Sequence, residues 1–140
     1  MVDDKLKQRF IDNKPKGVLK MIQYKLGEVE MRFANIIWDN EPIGSGELVK
    51  LAQEELSWKK PTTYSILRKL CEKGIFQNQN AMVTSIVTKK EYISMQSQKF
   101  VDETFSGSLP SFFASFISRK KMSNKDIMEI QKIIDDYKEV

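Results

Sequence analysis

The sequence of 140 residues contains no histidine and a single cysteine, Cys71. One thiol cannot form an intramolecular disulfide, and zinc sites of the Cys/His kind cannot be assembled. The missing imidazole also removes the commonest general base, and neither a Gly-rich phosphate loop nor a G-x-S-x-G elbow occurs. No catalytic set can be built from what remains, so neither an enzyme nor a cofactor or metal site is expected. Adjacent acids such as Glu54-Glu55, Asp102-Glu103 and Asp135-Asp136 fall in segments that read as helix, where neighbours point ~100° apart and cannot converge on one atom. They read as solvated faces. No run of ~18 apolar residues occurs, which argues against membrane insertion. The opening Met1-Val2-Asp3-Asp4-Lys5 leads into no apolar h-region, so no secretory leader and a cytoplasmic location are expected.

What is present is an ordinary balance of 41% hydrophobic and 30% charged residues, with a formal net charge of +4. The distribution of charge says more than its sum. Lys59, Lys60, Arg68, Lys69 and Lys73 face only Glu72 over one short stretch. Such a local basic patch on a near-neutral domain suits contact with nucleic acid.

Read along the chain, residues 1–22 form a basic N-terminal extension, broken at Asn13-Lys14-Pro15-Lys16-Gly17. Ile22, Tyr24 and Leu26 alternate with polar residues, a short strand signal. The period then changes, and Val29, Phe33, Ile36 and Ile37 predict a helix over 28–39 that Asn40-Glu41-Pro42 ends. A second helix is expected over 45–56, and a third over 60–73, with Pro61 in its first turn and Gly74 closing it. Ile75-Phe76 and Met82 to Val87 are rich in β-formers on either side of a turn at Asn78-Gln79-Asn80-Ala81. Two helices across a short connection, followed by a hairpin, make a winged helix-turn-helix over 23–88, with the strand near Tyr24 as a possible third member of the sheet. Thr88-x-x-Glu91 and Ser123-x-x-Asp126 mark helix starts near 89 and 124. The fold class is therefore mainly α with a small β-hairpin wing, plus a helical region over 89–140.

On the third helix, Thr63, Ile66, Leu67 and Leu70 share one side, while Thr62, Ser65, Arg68, Lys69 and Glu72 occupy the other. A short-polar, basic side can lie in a major groove, although an ordinary amphipathic helix would look similar. Two features favour DNA. Lys59 and Lys60 sit where the helix dipole disfavours cations by about 0.3 to 1 kcal/mol and where a capping residue is usual. The helix also lies between a positioning helix and a wing. Lys59, Lys60, Arg68 and Lys69 are thus the candidate contacts to phosphates or guanine edges, and Thr62, Tyr64 and Ser65 the candidates that read or position bases. Thr63 is counted with them although its angle puts it on the apolar side. Trp58 reads as a packing anchor rather than a base-stacking platform. Cys71, beside Leu70, reads as inert core.

Phe100, Val101, Phe105, Leu109, Phe112, Phe113, Phe116 and Ile117 are the densest apolar stretch, and Ile127, Ile130, Ile134 and Tyr137 form one stripe of the last helix. These could be a private core, a ligand pocket or an interface between two copies. So short an appendage buries too little surface alone, which favours a homodimer interface, and two-fold pairing would match a palindromic operator. The rival to a DNA-binding repressor is a winged-helix protein-interaction module without DNA binding.

Ile36-Ile37-Trp38, Trp58 followed by Thr62, Leu67 to Ile75 and Phe100 to Leu109 together resemble the penicillinase repressor and methicillin-resistance regulator (BlaI/MecI) family, over about Tyr24 to Tyr137. The resemblance implies a winged-helix repressor of antibiotic-resistance genes such as those for β-lactamase, dimeric through its C-terminal helices. It implies further a membrane sensor metalloprotease whose signal leads to cleavage before a Phe in the dimerisation region. The matching pair here is Ser115-Phe116, with Ser in place of the family's Asn. Pro61 and Tyr64 stand where better-known members often carry Lys and Arg. The wing tip is short and uncharged, and the cysteine motif of the copper-responsive members is absent.

Overall fold

The computed structural model describes residues 25–139. The basic extension and the strand signal at Ile22 and Tyr24 lie outside them. The first helix, α1 (Glu28–Asn40), begins where the Glu30 carboxylate accepts the Gly27 N–H at 3.0 Å. Glu28 and Glu30 in the first turn suit the positive end of the helix dipole. Its inward stripe, Phe33, Ala34, Ile36 and Ile37, is buried as the periodicity predicts. A two-residue strand, β1 (Ile43–Gly44), leads directly into α2 (Ser45–Leu56). Ser57 ends α2 in the left-handed region with φ 58°. Next comes α3 (Lys60–Glu72), followed by Gly74 at φ 80°, a conformation that costs a residue without Cβ nothing.

The hairpin joins β2 (Phe76–Gln79) to β3 (Met82–Ser85) in register, with Gln79 opposite Met82. Asn80 and Ala81 are the two loop residues, and both have positive φ (54° and 61°), as the tight hairpin turn matching strand twist requires. Asn tolerates this; Ala does so only at a steric cost. The sheet order is β1-β3-β2, all antiparallel. Among the described residues its third strand is Ile43–Gly44; of the strand expected around Tyr24 only Leu26 is described, and it is buried but unpaired in the sheet. The alternation Ile22, Tyr24, Leu26 is thus matched at Leu26 by burial alone, whereas Ile43 pairs with Val83 inside the core.

Two compact units follow, one ending at Ser97 and the other beginning at Gln98. In the first, Phe33, Ile37, Ile43, Leu48, Leu70, Ile75, Phe76, Val83 and Val87 are fully buried. Trp38 packs on Phe76 and Tyr92 at 5.4 and 5.9 Å between ring centroids, and its indole N–H donates to the Val87 carbonyl at 3.0 Å. Tyr92 lies in α4 (Lys89–Thr104), which opens with the expected capping box between Thr88 and Glu91. Its hydroxyl accepts the buried Leu26 N–H at 2.8 Å, so the start of α4 completes this core. The second unit contains the end of α4 with α5 (Leu109–Ile117) and α6 (Asn124–Lys138). Ser108 and Ser123 cap these helices through their hydroxyls, each accepting a backbone N–H three residues on.

Candidate nucleic-acid interface

The aliphatic side of α3 is fixed in the core by Leu67 and Leu70. That leaves Thr62, Ser65, Arg68, Lys69 and Glu72 exposed on the opposite side, with Lys59 and Lys60 exposed at the N-terminal end. Lys59 occupies the capping position with extended backbone and no side-chain cap, and the first turn holds no acid. The start of α3 is therefore electropositive by both dipole and side chain.

Three candidates need separate description. Thr63 is 0% exposed, with its hydroxyl 3.4 Å from the Lys59 carbonyl, so its inclusion among the contacts is corrected: its helical angle aims it inward. Tyr64 is half-buried against the core; its hydroxyl is 3.4 Å from that of Ser45 in α2, and the Lys60 ammonium lies 6.0 Å from its ring centre. Lys69 is 47% exposed and pairs at 3.3 Å with Glu30 of α1, which offsets part of its charge.

Trp58 packs against Phe33 at 5.0 Å, the anchoring role its position suggested. Cys71 is half-buried, and burial, with the neighbouring Glu72 carboxylate adding to it, pushes its thiol above the ordinary value. It is held in the protonated form, a poor nucleophile at neutral pH.

Beside α3, a groove of about 290 Å³ is lined by Tyr64, Leu67, Arg68, Cys71 and, from β2, Asn78. Asn78 and Gln79, expected in the turn, are strand residues of β2, and only Asn80 and Ala81 form the loop. The signal for Asn78 was the run Gln77-Asn78-Gln79-Asn80, four amides with no charge, which reads at first as turn chemistry alone.

In the second unit, no residue of α5 or α6 is buried. Phe100, Phe105 and Phe112 meet edge to face at 5.6 to 6.0 Å, and Phe116 packs on Phe112. Phe105, Phe112, Phe113 and Ile130 are partly covered, while Phe100, Leu109, Phe116, Ile127 and Ile134 are exposed. A groove of about 310 Å³ runs between Phe112, Phe113 and Phe116 on one side and Ile130 and Ile133 on the other. Ile133 and Met128, 67% and 72% exposed, widen the apolar surface beyond the stripe read from sequence. Ser115 and Phe116 are both exposed and lie within α5.

Among the described residues, no cluster of His, Cys, Asp and Glu could hold a metal ion, and no helix is long and apolar enough to cross a membrane. The penicillinase repressor family model matches residues 26–136, which takes in the winged unit and nearly all of the C-terminal helices. The chain belongs to the penicillinase repressor family. This member of the family is 22% identical over 118 residues to the penicillinase repressor of Bacillus licheniformis, covering 81% of the chain and 92% of the relative. It is 25% identical over 118 residues to the penicillinase repressor of Staphylococcus aureus, covering 81% and 94%. It is 22% identical over 116 residues to the methicillin resistance regulatory protein MecI of Staphylococcus aureus strain Mu50, covering 80% and 94%. All these relatives are named as repressors or regulators, and the family is one of repressors, not of enzymes.

Proposed function

We propose that this chain is a DNA-binding transcriptional repressor that binds a palindromic operator as a homodimer and controls antibiotic-resistance genes of the β-lactamase type. One observation carries the reading: the start of α3 has no side-chain cap and no acid, yet presents Lys59, Lys60, Thr62, Ser65 and Arg68 outward from a helix anchored by Leu67 and Leu70. An exposed surface of this kind is poor for helix stability and good for phosphate and base contact. Arg68, and Lys69 once it exchanges Glu30 for a phosphate, supply further charge.

The homodimer is supported by the large apolar side chains that α5 and α6 leave exposed, among them Leu109, Phe116, Ile127, Met128 and Ile133. Removing residues after Phe105 should leave a folded monomer with poor operator affinity; a stable dimer of that fragment in analytical ultracentrifugation would contradict this. Relief of repression by proteolysis at Ser115-Phe116, in response to a sensor metalloprotease, is the remaining element. Because that bond lies inside α5, cutting it requires local opening of the helix first.

The direct test uses full-length protein and a 30-base-pair duplex enriched by it from a randomised pool. Arg68→Ala should lower affinity in a gel-shift titration without changing dimerisation or melting temperature. Unchanged binding would remove α3 from the interface.

A further inference from the structure

We propose that Asn78, on the wing, is a second base-reading residue, acting in the same groove as Arg68 and contacting an adenine edge. The inference rests on the DNA-binding reading of α3. Side chains along a strand alternate between faces, so Asn78 shares a face with Phe76, and directly opposite it stands Val83. Phe76 and Val83 are wholly buried, whereas Asn78, on the edge strand, is exposed. Its amide therefore lies toward α3, where it lines the groove with Tyr64, Leu67, Arg68 and Cys71. Gln79 belongs to the other face.

The neighbouring amide, Gln77, is occupied by a hydrogen bond to Thr84 at 3.1 Å. Among the described residues the Asn78 side chain has no such bond. An exposed amide offers a donor and an acceptor together, the pair that matches adenine N7 and N6 in the major groove. A duplex whose base edges lie against this groove comes within reach of both the Arg68 guanidinium and the Asn78 amide.

The hairpin carrying Asn78 is also held in place. Near its tip, the Ala81 carbonyl accepts the Ser45 N–H at 2.8 Å. At its base, the Glu41 carboxylate accepts both the Ser85 N–H at 2.8 Å and the Ser85 hydroxyl at 2.7 Å. With the backbone that carries it held, only the Asn78 side chain has to be ordered on binding. Since an amide neutralises no phosphate, its contribution should appear in base discrimination and not in salt dependence.

The experiment compares wild type, Asn78→Ala, Gln79→Ala and Arg68→Ala on the enriched duplex, on its single-base-pair variants and on an unrelated duplex, at several salt concentrations. Asn78→Ala, which removes one contact from each half-site, should weaken binding to the enriched duplex about thirtyfold, abolish discrimination at one A·T pair of each half-site, and leave the salt slope and the unrelated duplex unaffected. Gln79→Ala should do none of this. Arg68→Ala, which removes one phosphate contact from each copy of the dimer, should make the slope shallower by about 1.8. Unaltered discrimination by Asn78→Ala at every position, or an equal loss on the enriched and unrelated duplexes, would overturn the assignment. If the wild type enriches no duplex and shows no salt-dependent binding, the DNA-binding reading itself falls, a result distinct from a failure confined to Asn78.

Discussion

The two units of this chain spend similar apolar residues in opposite ways. Before Ser97, Phe33, Phe76, Ile37 and Leu70 are removed from water entirely; after it, no side chain of α5 or α6 is fully buried although they carry Phe112, Phe113, Phe116 and five isoleucines. The difference lies in the number of surfaces available. Three helices and a sheet enclose a core from several directions, and the Tyr92 and Trp38 hydrogen bonds close it. Two short helices and the end of a third cannot do this. Apolar density alone therefore says that a region must be covered, and not by what.

The largest expected effect tests the self-sufficient unit. Phe33→Ala removes a fully buried ring that packs on Trp58 and should cost about 3 to 5 kcal/mol in denaturant unfolding. The matching change in the other unit, Ile133→Ala, should scarcely alter the stability of a dilute monomer and should weaken self-association in sedimentation; a large loss of monomer stability would erase the contrast. Glu41→Ala strips the acceptor from the Ser85 N–H and hydroxyl and should cost about 1 to 3 kcal/mol, with Glu41→Gln costing less. Ala81→Gly relieves a positive φ at the wing tip, and should stabilise the fold by about 0.5 kcal/mol once the extra freedom of the unfolded chain is counted. The smallest effect concerns Cys71. Its raised pKa means that the fold favours the protonated thiol, so the associated stability is present below the ordinary thiol value and is lost as pH rises through the folded one. Thermal melts of the wild type should decline at alkaline pH slightly more than those of Cys71→Ala, and thiol labelling should be slow at neutral pH.

Much of the fold was legible because local signals and burial agree. The helix starts at Lys89 and Asn124 follow Thr and Ser caps, and α2 spans the residues its pattern predicts. The face of α3 was legible from angle alone, which is also why Thr63 should not have been counted outward. The third strand was not legible: two residues give no period, and Ile43–Gly44 is in the sheet only because Val83 and Met82 lie beside it. Asn78, expected in the turn, was misplaced for a similar reason. Its placement beside Arg68 depends on hairpin register and on contact between elements, neither of which composition reveals.

The central claim, that an anchored α3 meets the phosphates of a duplex with its cationic side, is tested most directly by the salt dependence of binding to the enriched duplex. With Lys59, Lys60 and Arg68 engaged in both copies of a dimer, log K should fall with log salt at a slope of about −5. A slope near zero would contradict it.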